Sequence, residues 1–259
     1  MGAEVCRAVI AEDDLDLVAA VDPSAHGRDL DSLIGVPAGG IVVSEAIGSL
    51  GEAGVEVAVD FTVAAAAVAG LSWCAANGTH AVSGTTGIGK DEIDLLRRSF
   101  GSGTNCLIAP NFSLGAALMM RCAELCAPIF GAVEVVELHH DAKRDAPSGT
   151  SLETARRLGA ARELSGSGPW TAASSSANAP GGAELAGARG ALSSEGIRVH
   201  SVRLPGLVAH QEVIFGGLGE TLTIRHDSYD RTSFMPGVLL AIRRVASLDG
   251  LVVGLDALI

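Results

Sequence analysis

The sequence predicts a two-lobed α/β protein, with a doubly wound parallel sheet in one lobe and a mixed sheet in an α+β lobe. Between residues 55 and 108, apolar β-type runs alternate with helical segments at the spacing of parallel βαβ units. Between residues 197 and 226, three β-type runs follow one another with only Pro205-Gly206 and Gly216-Gly217 as breaks. A chain of 259 residues also exceeds what one small core usually organises.

Composition fits that architecture and narrows the partners. Hydrophobic residues make up 48% of the chain but aromatics only 3%, and glycine occurs 33 times, which suits close packing of helices on a sheet. A net charge of −12 argues against nucleic acid or an acidic membrane surface as the main partner. No apolar run reaches the roughly 18 residues of a membrane span, and Met1-Gly2-Ala3-Glu4 lacks the basic start of a signal peptide, so the expected location is the cytoplasm. Cys6, Cys74, Cys106, Cys122 and Cys126 form no C-x-x-C pair and lie in apolar segments. They are expected to be buried reduced thiols, with no metal bound.

Taken in order, residues 4–11 read as a helix with Val5, Cys6, Val9 and Ile10 on one face, and 15–21 as a buried strand ending at Asp22. Helix, strand and an acidic residue at the strand's carboxyl end make up the second half of a dinucleotide-binding βαβ unit. A short strand is expected at 41–43 and another at 55–59, followed by an alanine-rich helix at 64–76 that Asn77-Gly78 stops. Then come a strand at 80–83, a helix at 91–100 and a strand at 106–108. In such sheets ligands bind at the carboxyl ends of the strands. That rule gives weight to Asp22, Thr62, Gly84-Thr85-Thr86 and the run Ala109, Pro110, Asn111, Phe112, although Gly84-Thr85-Thr86-Gly87 alone also fits an ordinary turn.

A long helix at 113–129 leads into the second lobe, whose strand at 133–138 is followed by a helix near 152–158. Residues 164–196 are rich in Gly, Ser and Ala and read as a mobile or extended connection, with Arg189 as a solvated side chain. With the 133–138 strand, the three later runs predict a four-stranded sheet. Having few helices to cover it, such a sheet leaves one face open for self-association. From 232 the pattern returns to a helix at 238–246 and a short apolar tail packed back on the first lobe.

The richest stretch chemically is Glu137-Leu138-His139-His140-Asp141-Ala142-Lys143-Arg144-Asp145-Ala146-Pro147-Ser148-Gly149-Thr150, a strand-to-helix loop. An imidazole holds or gives a proton near neutral pH, and a neighbouring ammonium lowers its pKa while attracting an anion. The Ser148-Gly149-Thr150 entry offers free backbone N–H groups to a carboxylate. A pair of loop histidines beside a solvated lysine and an Asp-Ala-Pro turn is the competing reading, and the loop chemistry by itself leaves both open.

The pattern Glu-Leu-His-His-x-x-Lys-x-Asp-Ala-Pro-Ser-Gly-Thr at 137–150 resembles the signature loop of the dihydrodipicolinate reductases, also called 4-hydroxy-tetrahydrodipicolinate reductases. Val-Asp-Phe-Thr at 59–62, Ser-Gly-Thr-Thr-Gly at 83–87, Ile-Ala-Pro-Asn-Phe-Ser at 108–113, Gly-Leu-Val-Ala-His-Gln-Glu-Val-Ile-Phe-Gly at 206–216 and Arg-His-Asp-Ser-Tyr-Asp-Arg-Thr-Ser-Phe at 225–234 agree. The resemblance implies reduction of a cyclic unsaturated dicarboxylate with NADH or NADPH on the route to diaminopimelate and lysine. It implies His139 as the acid/base residue and Lys143 as a second proton donor, with His140, Ser148, Gly149 and Thr150 holding substrate. Gly84, Thr85, Thr86, Ala109, Pro110, Asn111 and Phe112 would line the cofactor, with Asp22 on its ribose. The implied domains are 1–113 with 232–259, Rossmann-like and nucleotide-binding, and 114–231, for substrate binding and assembly into a homotetramer. Hinge motion is expected near Ser113 and Arg231.

The family pattern opens with a strand and a Gly-x-x-Gly-Arg-Met-Gly loop, of which Met1-Gly2 looks like the tail. The expectation is that Met1 is an internal methionine of a longer reading frame. Asp22 would repel a 2′-phosphate, so NADH is expected to serve at least as readily as NADPH. The alternative from another class is a non-catalytic oligomeric binding protein that has lost nucleotide binding. A dehydrogenase acting on an aldehyde would want a loop cysteine as nucleophile, and no cysteine here is so placed.

Overall fold

The computed structural model describes residues 1–101, 103–170 and 188–259. In chain order its main elements begin α1 (Gly2–Ile10), α2 (Leu30–Ile34), β1 (Val57–Asp60), α3 (Ala64–Ala76), β2 (His80–Ser83), α4 (Lys90–Ser99), β3 (Cys106–Ile108) and α5 (Leu114–Cys126). They continue with β4 (Ala132–His139), α6 (Gly149–Leu164), β5 (Ala191–Leu192), β6 (Arg198–Arg203), β7 (Ala209–Gly217), β8 (Glu220–Ser228), α7 (Met235–Arg244) and β9 (Leu251–Val253). The chain divides into two compact units, Met1–Leu114 with Arg231–Ile259, and Gly115–Asp230.

The first unit is Rossmann-like. Its described strands form a parallel sheet in the order β1-β2-β3-β9, so the carboxyl ends of β1, β2 and β3 share one edge. Leu71, Cys74, Ala81, Leu96, Phe100, Cys106, Ile108 and Leu251 make its core, with α3 and α4 supplying the helical side. The apolar tail does more than pack back on the lobe, because Leu251–Val253 pairs with β3 as a full strand. Arg243 of α7 binds Asp14 at 2.8 Å and Glu12 at 2.5 Å, tying this return segment to the start of the chain.

The strand expected at 15–21 is not a member of that sheet. Val21 makes a single parallel bridge to Ser44, and Val42 a single bridge to Asp29. Extended backbone becomes a strand only when a laddered neighbour satisfies its N–H and C=O groups, and one bridge each is what these segments have. They pack instead around Leu30, Ile34, Ala38 and Val43 in a small separate core.

The second unit holds a mixed sheet, β5-β6-β4-β7-β8, in which β4 runs parallel to β6 and antiparallel to β7. It has five strands rather than four, since Ala191–Leu192 pairs with β6. Alternation along β4 buries Val133, Val135 and Glu137 on one face, the two valines in a core with Met119, Met120 and Ala123 of α5 and Ala155 and Leu158 of α6. The opposite face carries half-buried Glu134, Val136, Glu212 and Ile214.

Helix α6 starts at Gly149 because Ser148 caps it, its hydroxyl accepting from the Ser151 amide at 3.2 Å. It runs past Leu158, since Gly159 gives room to the side chain of Glu195 rather than ending the helix. Near its end, buried Arg162 donates to the carbonyls of Ala127, Phe130 and Gly168 and lies 4.2 Å from the Trp170 ring centre. Of the connection expected at 164–196, residues 171–187 lie outside the described residues. Arg189 is not a free solvated group, for it ion-pairs with Glu134. The thiols divide: Cys74 and Cys106 are buried and pushed up in pKa by burial, Cys74 to about 11, whereas Cys122 is exposed, contrary to the expectation.

Candidate active site

Strand β4 carries His139, the residue expected to handle a proton, and leads into the loop that holds Lys143. Its period of two places Glu137 and His139 on the same face, and the register sets Arg203 of β6 beside His139. Glu137 is fully buried. Its Oε1 accepts from Arg203 Nη2 at 2.7 Å and from the Ser148 amide at 3.1 Å, and its Oε2 from Arg203 Nη1 at 2.8 Å. His139 Nδ1 lies 2.5 Å from the same Oε2. Burial pushes the Glu137 carboxyl up, but its bonds from Arg203, Ser201 and His139 outweigh that and hold it below the ordinary range. For His139, burial lowers the pKa, Glu137 raises it, and Lys143 and Arg203 lower it again, leaving it below the ordinary histidine value.

The loop after β4 is anchored rather than free. Arg203 Nη2 also donates to the Asp145 carbonyl at 2.7 Å, and Lys143 Nζ donates to both Asp145 oxygens at 2.8 Å. His140 is exposed, and its carbonyl accepts from the Lys143 amide at 3.2 Å. Gly149 and Thr150 form the first turn of α6 just after Ser148, where backbone N–H groups and the positive helix end favour an anion.

In the first unit, the ends of β1 and β2 are locked by one carboxylate. Asp60 Oδ2 accepts from Ser83 Oγ at 2.6 Å and Thr85 Oγ1 at 2.7 Å, and its Oδ1 accepts from Thr62 Oγ1 at 2.6 Å. Gly84 follows with its amide on the Asp60 carbonyl at 2.8 Å, and Thr86 is exposed beyond it. A Cβ on Gly84 would lie 2.1 Å from the Phe61 ring, whose centre is 5.7 Å from that of Phe112. The small residue therefore keeps the main chain close to the aromatic pair. After β3, Ala109 and Phe112 are buried, Pro110 is exposed, and the Asn111 side chain accepts from the Ser113 amide at 2.9 Å. Asp22, which follows the single-bridge residue Val21, accepts from the Ser24 amide and hydroxyl at 2.9 and 2.7 Å, bonds that hold its carboxyl below the ordinary range.

Glu137, Arg203, Asp60 and Ser83 received no separate role from the sequence. For Glu137 the signal was available, as an acid two places before a histidine on a strand shares its face. For Arg203 and Ser83 it was not, because strand pairing brings them in.

A parallel α/β unit with a backbone edge at its strand ends, joined to a mixed-sheet unit in which buried Glu137 meets half-buried His139, defines the class: a two-domain oxidoreductase of the nucleotide-dependent kind. The same fold occurs in solved dehydrogenases of low identity, among them a probable dehydrogenase from Thermotoga maritima (TM-score 0.63, 9% identity, 98% of this chain and 88% of that one).

Residues 1–112 match the family model for the dihydrodipicolinate reductase N-terminus and residues 115–259 that for its C-terminus. The 4-hydroxy-tetrahydrodipicolinate reductase of Moorella thermoacetica is 48% identical, covering 100% of this chain and 94% of that protein, and that of Nocardia farcinica 47%, covering 99% and 93%. The solved structure of dipicolinate-bound dihydrodipicolinate reductase from Paenisporosarcina sp. TG-14 superposes with a TM-score of 0.82 at 37% identity, over 100% of this chain and 95% of that one. The chain belongs to the dihydrodipicolinate reductase family.

Proposed function

We propose that this chain reduces 4-hydroxy-tetrahydrodipicolinate, by way of dihydrodipicolinate, to tetrahydrodipicolinate with NADH or NADPH, in diaminopimelate and lysine biosynthesis. The observation that carries the reading is the Glu137-anchored loop of His139, His140 and Lys143 leading into the Ser148 cap, in a chain alike over its whole length to curated reductases of that name. The Paenisporosarcina relative is described with dipicolinate, a ring dicarboxylate of the kind this helix entry suits.

The second unit, near residues 114–231, is the substrate domain. Ser148, Gly149 and Thr150 bind one carboxylate through the helix entry, and exposed His140 contributes to the same anion. His139 is the acid/base residue, and Lys143 a second proton donor once its ammonium leaves Asp145 for the substrate. An ammonium next to the reduced centre also offsets the charge that develops there.

The first unit, near residues 1–113 with 232–259, is the nucleotide domain. The main-chain edge at Gly84, Thr85 and Thr86, held close to Phe61 by the absence of a Cβ, fits the nicotinamide end of a dinucleotide, with Ala109, Pro110, Asn111 and Phe112 on its other border. Bound NADH or NADPH would supply the hydride. Asp22 would take the ribose hydroxyls by exchanging its bonds from Ser24, which favours NADH at least as much as NADPH. A non-catalytic binding protein has less support, since the cradle residues around Gly84 are all present.

We further propose a cytoplasmic homotetramer joined through the mixed-sheet face opposite α5 and α6. The test of the reaction is steady-state kinetics of His139→Ala and Lys143→Ala with both nucleotides. Turnover is expected to fall by about 100-fold or more while nucleotide affinity holds. Near-normal turnover in both variants would exclude the roles given to these residues.

A further inference from the structure

We propose that Glu137 is the positioning residue of the proton-transfer site, locked by Arg203 and the Ser148 amide so that His139 carries its ring proton on Nδ1 and presents Nε2 to the substrate. The inference rests on the reading of His139 as the acid/base residue, and extends it to a group that touches neither substrate nor cofactor.

Four nitrogen partners converge on this one buried carboxylate. Three of them, both Arg203 Nη atoms and the Ser148 amide, are donors with no lone pair to offer. With a bidentate guanidinium on one edge and an amide behind, the carboxylate cannot turn, and it acts only as an acceptor. The fourth partner, His139 Nδ1, therefore meets an acceptor at 2.5 Å and must be the protonated ring nitrogen. Nε2 is left as the atom able to take or give a proton.

The same carboxylate also reaches the amide of Ser148, the residue that caps α6. One group thus sets the imidazole and the anion-binding helix entry in a common frame, so a bound carboxylate and the proton donor are registered together. A buried ion pair kept only for the fold has no need of the imidazole, and removing the carboxylate would then leave the behaviour of His139 unchanged. The charged groups facing His139 are Glu137 on its own strand, Arg203 on β6, and Lys143 with its partner Asp145 in the loop.

The test uses the full chain labelled with 15N-histidine, with the His139 ring signals identified by their loss in His139→Ala. In the unaltered protein the neutral ring is expected to be protonated on Nδ1. Glu137→Gln is expected to abolish that preference and to lower kcat by about 100-fold with the substrate KM changed less than about threefold. The pH-profile limb that reports His139 should move to lower pH, because a negative charge beside the ring has gone.

A neutral ring protonated on Nε2 in the unaltered protein overturns the proposal, whether or not any variant folds. So does a folded Glu137→Gln protein whose kcat and pH profile match the parent. Near-normal turnover in His139→Ala would instead remove the underlying reading while leaving the Nδ1 assignment standing, so the two failures are told apart.

Discussion

Glu137 and His139, two residues apart on one strand, meet at 2.5 Å through Oε2 and Nδ1, and both are held below their ordinary pKa values. Burial of the imidazole, which outweighs the raising effect of Glu137, and the hydrogen bonds on the carboxylate make folding sensitive to acid at two stages. As pH falls, the unfolded chain takes up the His139 proton first, so the stability that the neutral ring contributes above about pH 6.5 is lost through its lower folded pKa. Glu137 repeats the pattern lower down: its contribution, present above about pH 4.5, disappears as pH drops through its depressed folded value. His226, lowered first by burial, adds to the upper stage, and Asp227, lowered first by its bond from Arg225, adds to the lower. Urea midpoints measured from pH 8 to about 2.5 should fall in both windows, and the lower step should shrink in Glu137→Gln. A midpoint unchanged between pH 7 and pH 5 would contradict the linkage.

Lys143 and Asp145 supply the second prediction. The ammonium is held by both carboxylate oxygens at 2.8 Å, so a dicarboxylate bound as proposed would compete with Asp145 for the same charge. Asp145→Asn removes the competitor, while the Arg203 bond to the Asp145 carbonyl still anchors the loop. The substrate KM is expected to fall by up to about fivefold, the upper range for an exposed ion pair, and the gain should fade at high salt. A higher KM in Asp145→Asn at low salt would show that Asp145 orients Lys143 rather than competing for it.

Much of the fold can be read along the chain because its local signals agree. Ala64–Ala76, His80–Ser83 and Cys106–Ile108 coincide with the expected helix and strands, each bounded by its own turn residues. The failures occur where a distant partner decides the outcome. Residues 15–21 have strand composition but only one bridging partner, and Leu251–Val253 becomes a strand through β3, more than a hundred residues earlier. The site follows the same rule. The loop from His139 to Thr150 is contiguous and carries its chemistry in view, whereas Arg203 and Ser83 enter only through strand register. Cys122 looked buried by composition, yet its position on α5 faces away from the core formed by Met119, Met120 and Ala123.

Gly84 gives a test of the proposed nucleotide edge that lies wholly within the first unit. Its φ is unremarkable for any residue, so the demand for glycine comes from space: a Cβ would fall 2.1, 2.6 and 2.7 Å from three atoms of the Phe61 ring. The ring cannot swing away without disturbing its contact with Phe112, which is itself buried after β3. Gly84→Ala is therefore expected to cost about 1–3 kcal/mol of stability and to weaken nucleotide binding, since the displaced main chain is the proposed cradle. Adding Phe61→Leu opens the space, so the double variant should recover part of both losses, a coupling that denaturant melts and nucleotide titrations measure independently. If Gly84→Ala binds nucleotide as tightly as the parent while losing stability, the close approach serves packing alone and the cradle must be sought elsewhere on the strand ends. If binding falls and Phe61→Leu restores it, the close approach of the Gly84 main chain to Phe61 is what shapes the edge.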